Sequence, residues 1–355
     1  MFKPLIIDSH KNVLVAMSGG VDSSVAAALL KEQGYNVIGA TMQIWEPKND
    51  FGGCCSLSAV NDAKRVADIL GIKHYVLNFR KEFNKLVIDN FIEEYKNGRT
   101  PNPCIRCNQF LKFDLLLKKA KELGADFIAT GHYARIISNK LLKGLDQTKD
   151  QSYVLYTMTQ KSLAHTLFPL GDLTKKDVRK LALIFKLPVA EKKESQEICF
   201  VEDNNYSNFI KEKFPKIEKP GLIIDKTGKA VGEHNGIIHY TVGQRKGIGA
   251  HKGTPKYVVE INNKNNSIII GDQKDLLKTE LTAENVSFIS GKFPTDPINL
   301  SAKIRYNSKE TEAVLYPESK NKAKIIFKSP QRAVTPGQSV VFYNREEVLG
   351  GGIIC

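Results

Sequence analysis

Two short stretches of this 355-residue chain combine residue types that do chemistry. The string SGGVDSS at residues 18–24 contains two glycines, three serines and one carboxylate. Glycines let backbone N–H groups turn towards an anion and approach it closely, and serine hydroxyls add further donors. The second stretch, GRTPNPCIRCN at residues 98–108, contains two cysteines, and another lies further on at Cys199. The first stretch indicates binding of a pyrophosphate-like anion, and the second indicates thiol chemistry.

The elements around residues 18–24 suit an anion site. The apolar run at residues 12–17 predicts a strand, residues 21–33 predict a helix that ends at Gly34, and residues 35–42 predict a second strand. A strand, helix and parallel strand of this length form a βαβ unit, and the amino end of its helix adds partial positive charge. Neither G-x-x-x-x-G-K-[ST] nor G-x-G-x-x-G occurs, so a Walker P-loop NTPase and a standard dinucleotide fold are not supported.

The same alternation continues to residue 130. The pattern predicts helices at 58–70, 80–97 and 108–123, and strands at 74–78 and 125–130. Alternating strands and helices are typical of an α/β fold with a parallel sheet covered on both faces.

After residue 205 the sequence changes to short apolar runs separated by Gly, Asn, Thr and Lys. The runs YVVEI, SIIIG, AKIIF and SVVFY predict strands joined by tight turns. We therefore expect three domains: an α/β domain at residues 1–205, a small central domain at 206–280 and a C-terminal β-barrel or sandwich at 281–355.

The composition restricts the class of protein. Hydrophobic residues make up 42% and charged residues 25%, which excludes a disordered, collagen-like or coiled-coil chain. A net charge of +14 makes a polyanion, above all nucleic acid, the first partner to test, although a basic surface alone has no specificity. No apolar run of membrane-spanning length and no secretory signal is found, so we expect a cytoplasmic protein that does not enter membranes. Six cysteines are too few for a disulfide framework in a chain of this length.

Cys107 is the strongest candidate nucleophile. It lies at the expected start of a helix, where the helix dipole and Arg106 favour the thiolate. A buried, inert cysteine is the alternative. A lone C-x-x-C is also compatible with a redox pair or a metal site, but the second ligand pair of a structural zinc site is absent from the sequence.

Longer motifs give these features a family context. SGGVDSS resembles the PP-loop of ATP pyrophosphatases, which have an adenine nucleotide α-hydrolase-like fold, cleave ATP between the α and β phosphates and adenylylate a carbonyl oxygen. With GRTPNPCIRCNQFLKFD, ATGHY, KDQSY, SQEICF, HYTVGQRKG and AVTPGQSVVFY, the chain resembles the bacterial tRNA-uridine 2-sulfurtransferases of the MnmA type almost end to end. The resemblance implies ATP- and Mg²⁺-dependent 2-thiolation of the wobble uridine (U34), with release of AMP and pyrophosphate.

The resemblance also assigns residues and partners. It places the nucleophile on Cys107 and the persulfide carrier on Cys199, with a transient disulfide between them. Nucleotide contacts fall on Ala16, Met17, Ser18, Gly19, Gly20, Val21, Asp22, Ser23, Met42 and Gly131. Contacts to tRNA fall on Asn102, Pro103, Cys104, His132, Lys149, Asp150, Gln151, Arg305, Tyr306 and Gln338. The implied partners are tRNAs of the Lys, Glu and Gln type and a sulfur donor that is fed by a cysteine desulfurase.

Several alternatives stay open. Sulfur reaches the base either by direct attack of the persulfide or after Cys107 liberates it. Many family members have Asp where this chain has Cys104, so Cys104, Cys107 and Cys199 form a possible ligand set for an iron–sulfur cluster, which we do not favour. Cys54 and Cys55 suggest a loop role. His132, Arg305 and Tyr306 have structural alternatives, as a hydrogen-bonded histidine and as braces of the barrel.

Two other functions compete with thiolation. A PP-loop amidotransferase or ligase would use ammonia and would be active without RNA, but it would leave Cys107 and Cys199 unused. A noncatalytic, nucleotide-responsive RNA-binding protein would not need the cysteines at all.

Overall fold

The computed structural model of the chain describes residues 11–46, 56–193, 198–201, 205–248 and 255–355. These residues pack as two compact units, and each unit is discontinuous along the chain. The first unit comprises Met1–Val87, Cys104–Glu202 and Glu346–Val348, and the second comprises Ile88–Pro103, Asp203–Arg345 and Leu349–Cys355.

The first unit is built on a parallel sheet. Its strands are β1 (Asn12–Ala16), β2 (Asn36–Gln43), β3 (Lys73–Asn78), β4 (Phe127–Ala129), β5 (Ala134–Ile137), β6 (Lys140–Lys143) and β7 (Thr166–Leu167). Five of them form the sheet in the order β3-β2-β1-β4-β7, with every pair parallel. Val13, Leu14 and Val15 of the central strand are fully buried, as expected when both faces of a sheet are covered. The predicted parallel sheet is therefore confirmed.

Helices alternate with these strands. The α-helices in the described part of the chain are α1 (Val21–Glu32), α2 (Leu57–Leu70), α3 (Arg80–Phe83), α4 (Asp89–Lys96), α5 (Pro103–Arg106), α6 (Leu116–Glu122), α7 (Gln160–Leu163), α8 (Lys175–Ile184) and α9 (Tyr206–Lys213). Ala26, Ala27 and Ala28 of α1 are buried, since their small side chains let this helix pack closely in the core. Among the described residues, no helix is both long and apolar enough to cross a membrane.

Two of the helical segments contain a π-helical stretch. Asn84–Ile88 joins α3 to α4, and Cys107–Leu115 joins α5 to α6. The second segment begins at Pro103, a residue type favoured at the first helical position because it lacks an N–H. The sequence predicts Cys107 at the start of the helix, but the residue lies one turn inside the helical segment. Wider π-helical turns are frequent at functional sites.

A tight hairpin follows the parallel sheet strand β4. Strands β5 and β6 are antiparallel, and Ser138 and Asn139 between them have positive φ angles of 50° and 57°. Two such residues form the type of turn whose twist matches that of paired strands. Leu142 of β6 also pairs with Glu347, so residues 346–348 add to the first unit.

The second unit contains a four-stranded central sheet. Its strands are β8 (Gly221–Asp225), β9 (Ala230–His234), β10 (Tyr257–Asn262) and β11 (Ser267–Gly271), in the order β10-β11-β8-β9. Ile223, Val258, Ile268 and Ile270 form its buried core.

A six-stranded barrel completes the second unit. Its strands are β12 (Leu277–Phe288), β13 (Ile298–Lys303), β14 (Thr311–Ser319), β15 (Lys322–Arg332), β16 (Ser339–Asn344) and β17 (Glu347–Ile354). The order β12-β15-β14-β13-β16-β17 closes because β12 also pairs with β17. Alternate residues of β15, namely Ala323, Ile325 and Phe327, are buried inside, as the two-residue period of a strand requires. The barrel expected at the C-terminus is confirmed.

Candidate active site

The loop between β1 and α1 is shaped by two glycines. Gly19 has a φ of +68°, and a Cβ added there would lie 2.2 Å from the backbone oxygen of Ala59 in α2. Both the left-handed backbone and this close approach require glycine. Gly20 has an extended backbone and is the N-cap of α1. The loop therefore leads the chain directly into the amino end of a helix, whose first N–H groups lack acceptors within the helix.

Serine side chains hold the loop from inside. The Ser23 hydroxyl donates to the Gly20 carbonyl at 3.2 Å and accepts the Ser18 N–H at 3.1 Å. The Ser24 hydroxyl donates to the same Gly20 carbonyl at 2.9 Å. We expected serine hydroxyls to add donors for an anion, but Ser23 and Ser24 are buried and bind loop backbone. Backbone N–H groups and the hydroxyl of the exposed Ser18 are left as donors for an anion.

Asp22, in the first turn of α1, is already engaged. Its Oδ1 and Oδ2 atoms accept the Lys175 Nζ at 2.7 and 2.8 Å, and its Oδ1 accepts the Tyr133 hydroxyl at 2.8 Å. The Lys175 side chain is 12% exposed. This carboxylate is thus fixed by a part-buried ion pair, which neutralises negative charge beside the loop.

Lys192 binds the loop itself. Its Nζ donates to the Gly19 carbonyl at 3.0 Å and to Asp62 Oδ2 of α2 at 2.7 Å. Sequence reasoning missed Lys192 and Lys175, because a lysine in a chain with 52 Lys and Arg residues gives no signal of its own. The one cue at Lys175 was Thr174, which caps the amino end of α8.

The other predicted nucleotide residues lie at the same edge of the sheet. Ala16 ends β1, Met42 is the penultimate residue of the neighbouring strand β2, and Gly131 follows the end of β4. The buried Met17 donates its N–H to the Ala40 carbonyl at 2.8 Å. A Cβ at Gly131 would lie 2.8 Å from the backbone of Asp22 and Ser23, so this glycine packs directly on the loop. Carboxyl ends of parallel strands are where α/β sheets bind ligands.

Cys107 is buried in the first unit, with 8% of its surface exposed. The next residue, Asn108, is also buried and donates from Nδ2 to the Val154 carbonyl at 2.9 Å. The Arg106 Nε donates to the Leu86 carbonyl at 2.8 Å. Hydrogen bonds on both sides of the cysteine therefore fix the helical segment that carries it.

The four described cysteines differ in exposure. Cys104 and Cys355 are exposed, Cys107 is buried and Cys199 is partly exposed. No group of three or more His, Cys, Asp or Glu side chains within the described ranges is arranged to hold a metal ion. Cys104, Cys107 and Cys199 are thus not preassembled as ligands of an iron–sulfur cluster. Cys54 and Cys55 lie outside the described residues.

His132 is buried beside the helical segment of Cys107. Its Nδ1 lies 2.7 Å from the Thr130 hydroxyl, and its ring contacts those of Phe113 and Phe168 at centroid distances of 6.0 and 5.9 Å. Burial, and secondarily the charge of Lys112, holds the pKa of His132 well below its ordinary value. The imidazole is therefore neutral at physiological pH. Its hydrogen bond and ring contacts are those expected of a structural histidine, the alternative to a tRNA contact.

Residues 149–151 form a hydrogen-bonded turn in the same unit. Asp150 Oδ1 accepts the N–H groups of Gly144 and Ser152 at 3.0 and 3.1 Å. Gln151 Oε1 accepts the Tyr133 N–H at 3.0 Å, and the Lys149 N–H donates to the Asp146 carbonyl at 3.0 Å. The Asp150 and Gln151 side chains thus shape the turn that precedes Val154.

In the second unit, Arg305 acts as a brace. Its Nη2 donates to the Val242 and Ala333 carbonyls at 2.9 and 3.0 Å and also contacts the Thr335 hydroxyl. The neighbouring Tyr306 is 37% exposed. Of this pair, Tyr306 is the more exposed residue.

Gln338 binds the segment that precedes Cys104 and Cys107 in the sequence. Its Nε2 donates to the Thr100 carbonyl at 2.8 Å, and the Thr100 N–H donates to the Pro336 carbonyl at 2.8 Å. Asn102 is partly exposed and Pro103 is buried. The second unit thereby brings together the motifs at residues 98–103 and 333–338, which are far apart in sequence.

An α/β unit with a glycine loop at the carboxyl edge of a parallel sheet is typical of nucleotide-using enzymes. Comparison with protein-family models agrees with this class: residues 11–203 match the tRNA methyl transferase HUP domain. Residues 207–272 match the tRNA methyl transferase PRC-barrel domain, and residues 278–354 match the aminomethyltransferase beta-barrel domain.

Individual relatives are similar over almost their whole length. The tRNA-specific 2-thiouridylase MnmA of Acetivibrio thermocellus is 56% identical over 357 residues, which cover 98% of this chain and 99% of that protein. The protein of the same name from Halothermothrix orenii is 54% identical and covers 96% and 98%. This chain belongs to the MnmA family of tRNA-specific 2-thiouridylases. Among solved structures, a 4-thiouridine synthetase–RNA complex with bound ATP aligns with 58% of this chain and 51% of its own, at 17% identity and a TM-score of 0.35, too low to bear on function.

Proposed function

We propose that this chain catalyses the ATP-dependent 2-thiolation of the wobble uridine (U34) in tRNAs of the Lys, Glu and Gln type. The observation that carries the proposal is a glycine loop built for an anion in the same unit as the buried thiol of Cys107. Membership in the thiouridylase family supports the assignment of tRNA as the substrate. In this proposal, residues 1–205 perform the chemistry, and domains 206–280 and 281–355 contribute to RNA binding.

The first step activates the base. A uracil C2 carbonyl is a poor electrophile, so its oxygen attacks the α-phosphorus of ATP, releases pyrophosphate and becomes part of an AMP leaving group. Residues 16–23 receive the phosphates, with Met42 and Gly131 at the same sheet edge. Mg²⁺ prefers phosphate oxygens, waters and few carboxylates. Because both Asp22 oxygens accept Lys175, the metal would arrive on ATP and would contact Asp22 only if this lysine moved.

The second step delivers sulfur. The partly exposed Cys199 accepts a persulfide from a donor protein that is fed by a cysteine desulfurase. The Cys107 thiolate attacks Sγ of Cys199, which forms a Cys107–Cys199 disulfide and releases the outer sulfur as hydrosulfide. Hydrosulfide adds at C2 and expels AMP, and an external thiol then reduces the disulfide. In the alternative route, the outer sulfur of the persulfide attacks C2 directly and Cys107 then resolves the remaining bond.

Binding of the tRNA would combine unstacking of the target base with contacts to phosphates. A base in a loop can be unstacked and turned into a pocket, while Lys and Arg side chains bind phosphates without reading sequence. In the second unit, Tyr306 is an exposed aromatic residue, a type that can stack on a base. A cysteine content too low for a disulfide framework and a tRNA substrate favour a reducing, cytoplasmic location.

The test is nucleoside mass spectrometry on unmodified tRNA with a U-starting anticodon. The protein is incubated anaerobically with Mg-ATP and a persulfide source, as the wild type or as the Cys107→Ser, Cys199→Ser or Cys355→Ser variant. We expect 2-thiouridine with wild type and with Cys355→Ser, whose exposed terminal thiol is the matched control. The Cys107→Ser and Cys199→Ser variants should give none while they still bind ATP.

Each outcome separates the candidate functions. Absence of 2-thiouridine with folded wild type and a competent sulfur source refutes thiolation. Consumption of ATP with ammonia and without RNA would instead establish the amidotransferase alternative. Iron-dependent absorption in an anaerobically purified, active enzyme would establish the cluster alternative.

A further inference from the structure

We infer that Lys192 is a positioning residue of the phosphate loop, which fixes the orientation of the Gly19–Gly20 peptide. The inference rests on the proposed function, because it concerns how this loop presents donors to the phosphates of ATP. Lys192 acts through the peptide and is not proposed to touch the substrate.

The Gly19–Gly20 peptide needs an external restraint. A peptide between two glycines can rotate more easily than any other, because neither neighbour has a Cβ to limit its backbone angles. Such a rotation exchanges the directions of the C=O and N–H groups. A carbonyl oxygen turned towards a phosphate repels it, whereas an N–H binds it.

The contacts of Lys192 supply that restraint. Its ammonium donates to the Gly19 carbonyl at 3.0 Å and is itself held by Asp62 at 2.7 Å. No peptide among the described residues is cis, and in a trans peptide the C=O and N–H point in opposite directions. The Gly20 N–H therefore points away from Lys192. The lysine and the bound anion would lie on opposite sides of this peptide.

The charge of Lys192 adds to the effect of its position. A hydrogen bond from an ammonium to a carbonyl polarises the whole peptide and strengthens the N–H on its other side. The next carbonyl, that of Gly20, is held by the hydroxyls of Ser23 and Ser24. Both glycine carbonyls of the loop are thus bound by side chains, and only the first is bound by a charged one.

A plain ion pair is the competing explanation. The Lys192 and Asp62 side chains are 36% and 25% exposed, and pairs with this exposure add little to stability. Under that explanation, loss of Lys192 would leave anion binding unchanged, or would weaken adenosine and pyrophosphate binding equally through a local loss of structure.

The test compares Lys192→Met, which keeps the apolar stem, with Lys192→Arg and with the matched control Lys193→Met at the neighbouring exposed lysine. Calorimetry measures the Kd of ATP, pyrophosphate and adenosine for each full-length variant. We expect Lys192→Met to weaken the binding of ATP and of pyrophosphate about tenfold and to leave the affinity for adenosine unchanged. A tenfold change is what the loss of one charge-assisted hydrogen bond causes. Lys192→Arg should recover most of the affinity, and Lys193→Met should match wild type.

A spectroscopic readout addresses the peptide itself. Labelling only glycine with ¹³C at the carbonyl and ¹⁵N restricts an HNCO spectrum to the four Gly–Gly peptides, 19–20, 52–53, 350–351 and 351–352. The Gly20→Ala variant assigns the first signal by removing it. In Lys192→Met, this signal should shift or broaden while those from Gly350 to Gly352 stay fixed.

The results distinguish this inference from the proposed function. Wild-type protein that neither binds ATP nor thiolates tRNA refutes the proposed function. Wild-type activity together with unchanged pyrophosphate affinity in Lys192→Met, or with equal loss of adenosine affinity, overturns the role of Lys192. An unmoved Gly19–Gly20 signal overturns it as well.

Discussion

Replacing Gly19 by alanine tests whether the loop needs its contact with α2. Gly19 and Gly124 both have left-handed backbones, with φ angles of +68° and +74°. A Cβ at Gly124 meets nothing within 4 Å, whereas at Gly19 it would lie 2.2 Å from the Ala59 oxygen and 2.9 Å from its carbonyl carbon. Gly124→Ala is therefore a matched control, which carries the backbone penalty without the clash.

The two variants should differ in kind. Alanine in a left-handed conformation costs about 1–2 kcal/mol, so each variant should melt a few degrees lower than wild type. Gly19→Ala must also move the loop by about 1 Å to reach an ordinary contact distance from Ala59. A displacement of that size at a binding site can cost about a hundredfold in catalysis. We expect ATP affinity to fall at least tenfold in Gly19→Ala and to be unchanged in Gly124→Ala.

Differential scanning fluorimetry gives the melting temperatures, and calorimetry gives the Kd of ATP for both variants. Wild-type ATP affinity in a folded Gly19→Ala protein would refute the claim that this close packing shapes the anion site. Equal loss of affinity in Gly124→Ala would show that the backbone penalty alone explains the effect.

Three further perturbations follow from contacts described above. Burial lowers the pKa of His132, so the unfolded chain binds this proton more readily and stability should decline as the pH falls below about 6.5. The His132→Gln variant should therefore show a smaller drop in melting temperature between pH 7.5 and 5.5 than wild type. An equal drop in both proteins would contradict this. Arg305→Met should lower the melting temperature by several degrees, whereas Tyr306→Ala should keep it and weaken tRNA in a filter-binding assay; the reverse pattern would make Arg305 the RNA contact. Lys175→Met should cost about 1–2 kcal/mol in urea unfolding because it leaves Asp22 unpaired, and adding Asp22→Asn should recover part of this; no recovery would argue against the ion pair.

Local patterns predicted the elements around the loop well. The strand, turn and helix expected at residues 12–33 appear as β1, the glycine turn and α1, because apolar runs, glycines and helix ends are encoded by neighbouring residues. The runs YVVEI and SIIIG fall on β10 and β11 for the same reason.

Features that depend on distant partners were not predictable. Nothing near Lys192 in sequence indicates that its ammonium meets Gly19 and Asp62, since that contact exists only after the sheet has formed. The start of the helical segment at Pro103 was placed too late because a loop rich in proline masked it. The predicted roles of Cys107 and Cys199 stay predictions, since they depend on substrates.

The discontinuity of the two units has a consequence for how the protein is made. Helix α4 belongs to the second unit, where Phe91 packs on Phe209 and Tyr95 stacks on Tyr206 at 4.5 Å. A fragment ending near residue 205 would expose those aromatic rings and would also lack Glu347, the partner of β6. On the ribosome, the unit with the phosphate loop cannot acquire its last strand contact until nearly the whole barrel has emerged. No single cut in the gene yields an intact nucleotide-binding half, so the two halves must be inherited, expressed and engineered together.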